Sequence, residues 1–199
     1  MKNFEGVTDE ALALLYAKGN NRAFDELLSR TQNKLFTYIM FVVRDHDMAD
    51  DIFQETFVKA ITKLQQGQYT DSGKFMFWLT RIAHNCIMDW YRQTQARHIV
   101  EVTEDNDLQN LKSLSMIDIS KESEMINAQV LLDIKKMVNA LPPPQREVVY
   151  MRYYQQMSFK EISELTGVSI NTSLGRMRYA LINLRRMAKV HQIELALCE

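Results

Sequence analysis

Residues 157–189, MSFKEISELTGVSINTSLGRMRYALINLRRMAK, constrain the fold more than any other stretch. Ser158 is followed three residues later by Glu161, the spacing at which a serine side chain and a glutamate cap a helix reciprocally. Ile162 and Leu165 fall on the inward side of that helix, and Gly167 supplies a sharp turn. Ser169 is placed to cap a second helix, with Leu174, Met177, Leu181, Leu184 and Ala188 on one stripe. Two helices joined by a short glycine-containing turn form a helix-turn-helix. The second helix and its tail carry Arg176, Arg178, Arg185, Arg186 and Lys189, and no acid stands between Ser169 and Ile193. A positive, solvent-facing helix suits the phosphates and base edges of a DNA major groove. The alternative is a helical hairpin with a solvated basic face.

Glycine and proline are scarce, and a 3.6-residue apolar period runs through most of the 199 residues, so the fold is expected to be all-α. A first helix is expected from about Thr8 to Gly19, and a second from Asn21 to about Val43. Asp47 is the expected N-cap of a third, over about 48–64. On that helix Ala49, Phe53, Phe57, Ala60 and Leu64 gather on one side, while Asp51, Gln54 and Glu55, with Val58 among them, gather on the other. Gln66 to Gly73 reads as a loop. A long helix follows, from about Lys74 to Arg92, with Phe75, Leu79, Ile82, Ala83, Cys86 and Trp90 as its buried stripe. Its opposite face holds Lys74, Phe77, Arg81, His84, Asn85, Met88 and Arg92. Cations mixed with aromatics on an exposed face suit stacking on unpaired bases and contact with phosphates. Trp78 fits burial between helices, and Phe77 fits burial and base stacking equally.

Residues 101–124 are acidic, with only Lys112 and Lys121 as cations, and read as a flexible linker that also holds apolar residues for a partner. A helix is then expected from near Ser123, ended by Leu141-Pro-Pro-Pro, with Pro144 in the first turn of the next helix. The expected divisions are therefore 8–97, a linker at 98–122, 123–190 and a tail at 191–199: two small helical domains joined by a flexible segment.

Composition narrows the function classes. The net charge of −1 gives no bulk basic field, so charge matters by segment. Cys86 and Cys198 lie far apart, and the four histidines are scattered, which supports neither a metal site nor a disulfide framework. Cys198 is read as an inert tail residue. No run reaches transmembrane length and the N-terminus lacks a signal-peptide core, so no membrane insertion and a cytoplasmic setting are expected. No nucleophile–base pair, metal cluster or phosphate-binding loop stands out, so neither catalysis nor a cofactor is expected.

Three segments resemble one family. DIFQETFVKA (Asp51–Ala60) resembles region 2.2 of bacterial sigma factors. KFMFWLTRIAHNCIMDWYR (Lys74–Arg92) resembles regions 2.3 and 2.4, and LPPPQREVVYMRYYQQMSFKEISELTGVSINT (Leu141–Thr172) resembles region 4. Their order is similar to that of the extracytoplasmic-function subfamily of the sigma-70 family. The resemblance implies a non-enzymatic specificity subunit whose partners are core RNA polymerase, promoter DNA and, in many members, an anti-sigma factor. It implies docking of Asp51, Gln54 and Glu55 on the β′ clamp helices. It implies minus-ten recognition on the helix carrying Lys74, Phe77, Arg81, His84, Asn85 and Arg92, with the loop from Gln66 to Lys74 lining a pocket for a flipped base. It implies minus-thirty-five recognition by Asn171, Thr172, Arg176, Arg178, Tyr179 and Arg186, with region 4 packed on the β-flap. Many relatives carry Lys-Ser where this chain has Leu174-Gly175. Here Leu174 is expected to pack inward, and Gly175 to let the backbone approach DNA. The competing reading is a stand-alone helix-turn-helix regulator that binds closed duplex without a polymerase.

Overall fold

A computed structural model of the protein describes residues 4–70, 73–98 (95–98 as backbone alone) and 132–190. Among these residues the regular structure is entirely helical. None of the helices is long and apolar enough to cross a membrane.

The first four helices form one bundle. Helix α1 (Asp9–Ala17) is capped by the Thr8 hydroxyl, which accepts from the Ala11 amide. Helix α2 (Asn21–Val43) is capped by Asn20 and ends at Arg44 in the left-handed region, φ 67°. Helix α3 spans His46–Gln65. Its cap is Asp45, whose carboxylate accepts from the Met48 amide, and not the expected Asp47, which sits in the first turn. Helix α4 (Phe75–His98) runs further than the expected Arg92. Its N-terminus borrows an acceptor from another helix: Glu10 Oε1 of α1 takes the Phe75 amide at 3.0 Å. That bond lowers the Glu10 pKa, because it favours the ionised carboxylate. The core is made of Leu12, Leu27, Leu35, Ile39, Leu64 and Leu79, all 0–1% exposed, with rings such as Phe57 and Phe75 around them.

Four more helices lie among the described residues of the second half. Helix α5 covers residues 132–139, and the expected start near Ser123 lies outside the described residues. The expected acidic linker and the tail with Cys198 lie outside them too. Helix α6 (Pro143–Tyr153) begins with Pro143 and Pro144 in its first turn, where the missing N–H groups would have had no partner. Helix α7 (Phe159–Thr166) shows the complete capping box: Ser158 Oγ accepts from the Glu161 amide at 3.2 Å, and Glu161 Oε2 accepts from the Ser158 amide at 2.9 Å. Gly167 ends α7 at φ 70°, a conformation that glycine adopts without strain. Helix α8 (Ile170–Val190) starts with Ser169 Oγ accepting from the Thr172 amide at 3.0 Å.

The expected stripe on α8 needs correction. Its buried residues are Ser173, Met177, Ala180 and Ala188, whereas Leu174 is 43% and Leu181 37% exposed. The helix packs on α6 and α7 through its small side chains. Small residues let helix axes approach closely, so the two leucines are turned outward.

Candidate functional site

Three surfaces carry the candidate residues. The first is the outer face of α3. Asp51, Gln54 and Glu55 are all exposed, and Val58 stands among them at 63% exposure. The inner face holds Ala49, Ile52, Thr56, Phe57, Ala60 and Leu64. Phe53, expected there, is half-buried and packs edge-on against Phe36 and Phe57. Glu55 pairs with Lys59 one turn on, at 2.7 Å. Lys59 also approaches Asp89 of α4, at 3.9 Å. The patch is polar around one apolar side chain, the reverse of the apolar inner face.

The second surface is α4. Arg81, Asn85 and Arg92 are exposed as expected, and Arg92 pairs with Asp89 at 3.1 Å. Trp78 is half-buried against Tyr69 and Phe75. Phe77 is half-buried and lines a groove of about 520 Å³ with Met76, Thr80, Tyr150, Tyr154 and Met157. His84 departs from expectation: it is 5% exposed, and its Nδ1 lies 2.7 Å from Glu147 Oε1 of α6. The polar face of α4 is partly roofed by the second half of the chain, so His84 and part of Phe77 do not face solvent. Lys74 is drawn into the same contact through an ion pair with Glu161, 2.7 Å long. Residues 71 and 72 of the expected pocket loop lie outside the described residues; Tyr69 of that loop is buried.

The ion pair and the capping box converge on Glu161. The Lys74 ammonium, followed by the Ser158 amide and hydroxyl, holds the Glu161 carboxyl down at about 2. A carboxyl whose pKa falls on folding stabilises the native state above its ordinary value, and that contribution is lost as pH falls towards the folded value. The wild type is therefore expected to lose stability relative to Glu161→Gln as pH drops from about 4.5 towards 2. Paired thermal melts across that interval check this. A stability gap between the two proteins that stays constant with pH would contradict it.

The third surface is α8. Asn171, Thr172, Arg178, Tyr179 and Arg186 are exposed, and Arg176 is half-buried. Thr172, Gly175, Arg176 and Tyr179 share a shallow groove with Pro142 and Pro144. A Cβ added at Gly175 would meet nothing within 4 Å, so no contact among the described residues calls for glycine there. Gly175→Ala is expected to stabilise the fold by about 0.5–1 kcal/mol, because alanine is the better helix former. Denaturant unfolding measures that gain. An unchanged or lower midpoint would show that the glycine serves the fold itself. Leu174 does not pack inward as expected; with Leu181 and Ile182 it lines an open groove beside Phe159.

Comparison with known proteins decides what these surfaces belong to. The model for sigma-70 region 2 matches residues 27–97, and that for sigma-70 region 4 matches residues 131–174. The chain belongs to the sigma-70 family. It is 27% identical over 164 residues to the RNA polymerase sigma factor SigZ of Bacillus subtilis, covering 82% of this chain and 85% of the relative. It is also 27% identical over 179 residues to the ECF RNA polymerase sigma-E factor of Haemophilus influenzae, covering 87% and 91%. The fold resembles that of the sigma factor RpoE from Bartonella quintana, solved with the anti-sigma factor NepR. That match has a TM-score of 0.63 at 22% identity and covers 84% of this chain and 97% of the other. CnrH, solved with the cytosolic domain of CnrY, matches with a TM-score of 0.59 at 24% identity, covering 92% and 97%. The protein is thus an extracytoplasmic-function sigma factor, a transcription-initiation protein built from regions 2 and 4.

Sequence reasoning missed the groups that join the two halves: Tyr38 and Arg44 on one side, Arg146 and Glu147 on the other. Tyr38 and Glu147 are 109 residues apart in sequence, and no local pattern pairs them.

Proposed function

We propose that this sigma factor docks on the β′ clamp helices of core RNA polymerase through Asp51, Gln54 and Glu55. The outward α3 patch carries this reading: three polar side chains without a role in the core surround exposed Val58. Region 2, within residues 8–97, then opens and holds the minus-ten element. Lys74, Arg81, Asn85 and Arg92 are the exposed groups that support this, Lys74 through release of its ion pair with Glu161, with half-buried Phe77 and buried His84 joining once uncovered. Extruding a base costs a few kcal/mol, and stacking on protein aromatics returns about 1–3 kcal/mol per base, so binding inside the polymerase can drive melting without a catalytic group. Region 4, within residues 123–190, reads the minus-thirty-five element from α8. Arg176 and Arg178 suit guanine or phosphate, and Asn171 suits adenine. Thr172, Tyr179 and Arg186 extend the same outer face. The exposed strip of Leu174, Leu181 and Ile182 supports a protein contact on region 4, for which the β-flap is the partner.

An anti-sigma factor is proposed as a further partner, because the similar sigma factor RpoE was solved with the anti-sigma factor NepR. The setting proposed for all of this is the cytoplasm, where polymerase and promoter are found. The reading is tested by mixing the purified chain with bacterial core RNA polymerase and transcribing a pool of promoter fragments. Selective initiation supports it; tight binding of closed duplex by the chain alone, without polymerase association, would replace it with a stand-alone regulator.

A further inference from the structure

Helix α8 carries a glycine that neither the fold nor the function above accounts for. Asn171, Gly175, Arg178 and Ile182 recur at the spacing of one helix face, opposite buried Ser173, Met177 and Ala180. Gly175 thus stands on the outer face of α8. It lies in regular helix without a left-handed angle, and a Cβ there would meet nothing within 4 Å. Glycine weakens a helix relative to alanine, so the fold bears a cost at this position without a packing return. What glycine supplies is space on the side of α8 that faces outward.

That space opens into a groove of about 350 Å³ between α8 and the start of α6, with Thr172, Arg176 and Tyr179 on one side and Pro142 and Pro144 on the other. The lining is mostly apolar. Both prolines are exposed, and a proline has no N–H to offer a ligand. The Thr172 hydroxyl is engaged 2.8 Å from Ser169 Oγ, which leaves its methyl as the group it presents. The α6 wall is held in place: Gln145 Oε1 accepts from Asn183 Nδ2 of α8 at 2.9 Å. The surroundings are cationic. Arg176 stands in the groove itself, Arg178 and Arg186 are exposed on the same helix, and no acid lies between Ser169 and Ile193. An apolar notch in a positive surface suits a polyanion that carries an apolar group.

Duplex DNA presents one such group to a helix in its major groove. Guanine, adenine and cytosine show hydrogen-bonding atoms there, whereas thymine adds a C5 methyl, which apolar contacts such as a threonine methyl recognise. A glycine lets a base edge come close to the helix backbone. We propose that the Gly175 notch, walled by Pro142, Pro144, Thr172 and Tyr179, receives the C5 methyl of one thymine in the duplex element read by α8. It sets a specificity position that the arginines do not. Arg176, in the same groove, is placed for the neighbouring base or phosphate. This role rests on the reading of α8 as the minus-thirty-five helix.

The test uses the full chain as holoenzyme with core RNA polymerase, on the minus-thirty-five element recovered from the fragments it initiates from. Each thymine of that element, on either strand, is replaced singly by uracil, which removes the C5 methyl and nothing else. One replacement should lower affinity about fourfold, the worth of one buried methyl group, while the others change it by less than about twofold. Gly175→Leu places a side chain in the notch, where no neighbour obstructs its Cβ. It should abolish the thymine–uracil difference at that position, with helicity by circular dichroism unchanged. Pro144→Ser removes part of the opposite wall and should roughly halve the difference. An element without thymine, uracil tolerated throughout, or a Gly175→Leu protein that discriminates as the parent does would overturn the notch. A chain that ignores polymerase but selects duplex alone is put through the same replacements on that duplex, so the sigma reading can fall while the notch stands. A chain that selects no duplex in either setting overturns both.

Discussion

Replacing Asp51, Gln54 and Glu55 together with alanine is expected to lower affinity for core RNA polymerase by about 2 kcal/mol or more, roughly 30-fold. The physical case rests on where the three side chains stand. They lie on the face of α3 opposite Ala49, Ile52, Phe57 and Leu64, and they are exposed. None fills the core, so their removal leaves no cavity. Alanine is also the stronger helix former, so α3 should hold its structure. Among the described residues the interaction lost is the exposed Glu55–Lys59 pair, and pairs of this kind contribute about 0.3–0.5 kcal/mol. A large loss of polymerase affinity with an unchanged melting temperature would therefore report on the interface itself. Titration of labelled core enzyme with wild-type and triple-alanine protein gives both numbers, and equal affinity would remove the α3 patch from the docking surface.

Arg176→Ala is expected to weaken promoter binding by about 1–3 kcal/mol if the guanidinium reads a base edge. Arg176 is half-buried and lies in the α8 groove with Thr172, Gly175 and Tyr179. Base reading and phosphate contact separate cleanly in experiment. Loss of a base contact relaxes specificity at one position of the site and leaves the salt dependence unchanged. Loss of a phosphate contact weakens all sequences alike and makes the dependence on salt shallower by about one ion. Binding of holoenzyme to a panel of minus-thirty-five variants at several salt concentrations distinguishes them. Arg186, a few turns further along the exposed face, serves as the comparison for a phosphate role.

What the sequence disclosed, and what it did not, follows from the range of the interactions involved. The capping box at Ser158 and Glu161, the turn at Gly167 and the two proline residues opening α6 are local, and each was legible from residue type and spacing. The two-faced character of α3 was legible because one period decides both faces. The cap of α3 was misplaced by two residues because RDHD offers two aspartates, and only backbone geometry selects Asp45 over Asp47. On α8, hydrophobicity pointed to Leu174 and Leu181, but close packing against α6 and α7 selected Ser173 and Ala180. His84 was the most instructive departure. A polar residue on the polar face of α4 should meet water, and it would if α4 had no roof. Periodicity separates an apolar face from a polar one, but it does not say which polar face a distant acid will cover. Glu147 is 63 residues from His84, and nothing near either residue marks the other as its partner.

Whether this sigma factor reads promoters only together with polymerase, as proposed above, is decided by one experiment. The purified chain is combined with bacterial core RNA polymerase and allowed to initiate on a pool of promoter fragments, and the transcripts are sequenced. Stable association and selective initiation from fragments that share two elements are expected. Both are expected to be lost in the Asp51, Gln54 and Glu55 triple-alanine protein. Duplex binding by the chain alone, with neither association with core enzyme nor selective initiation, would overturn the proposed function.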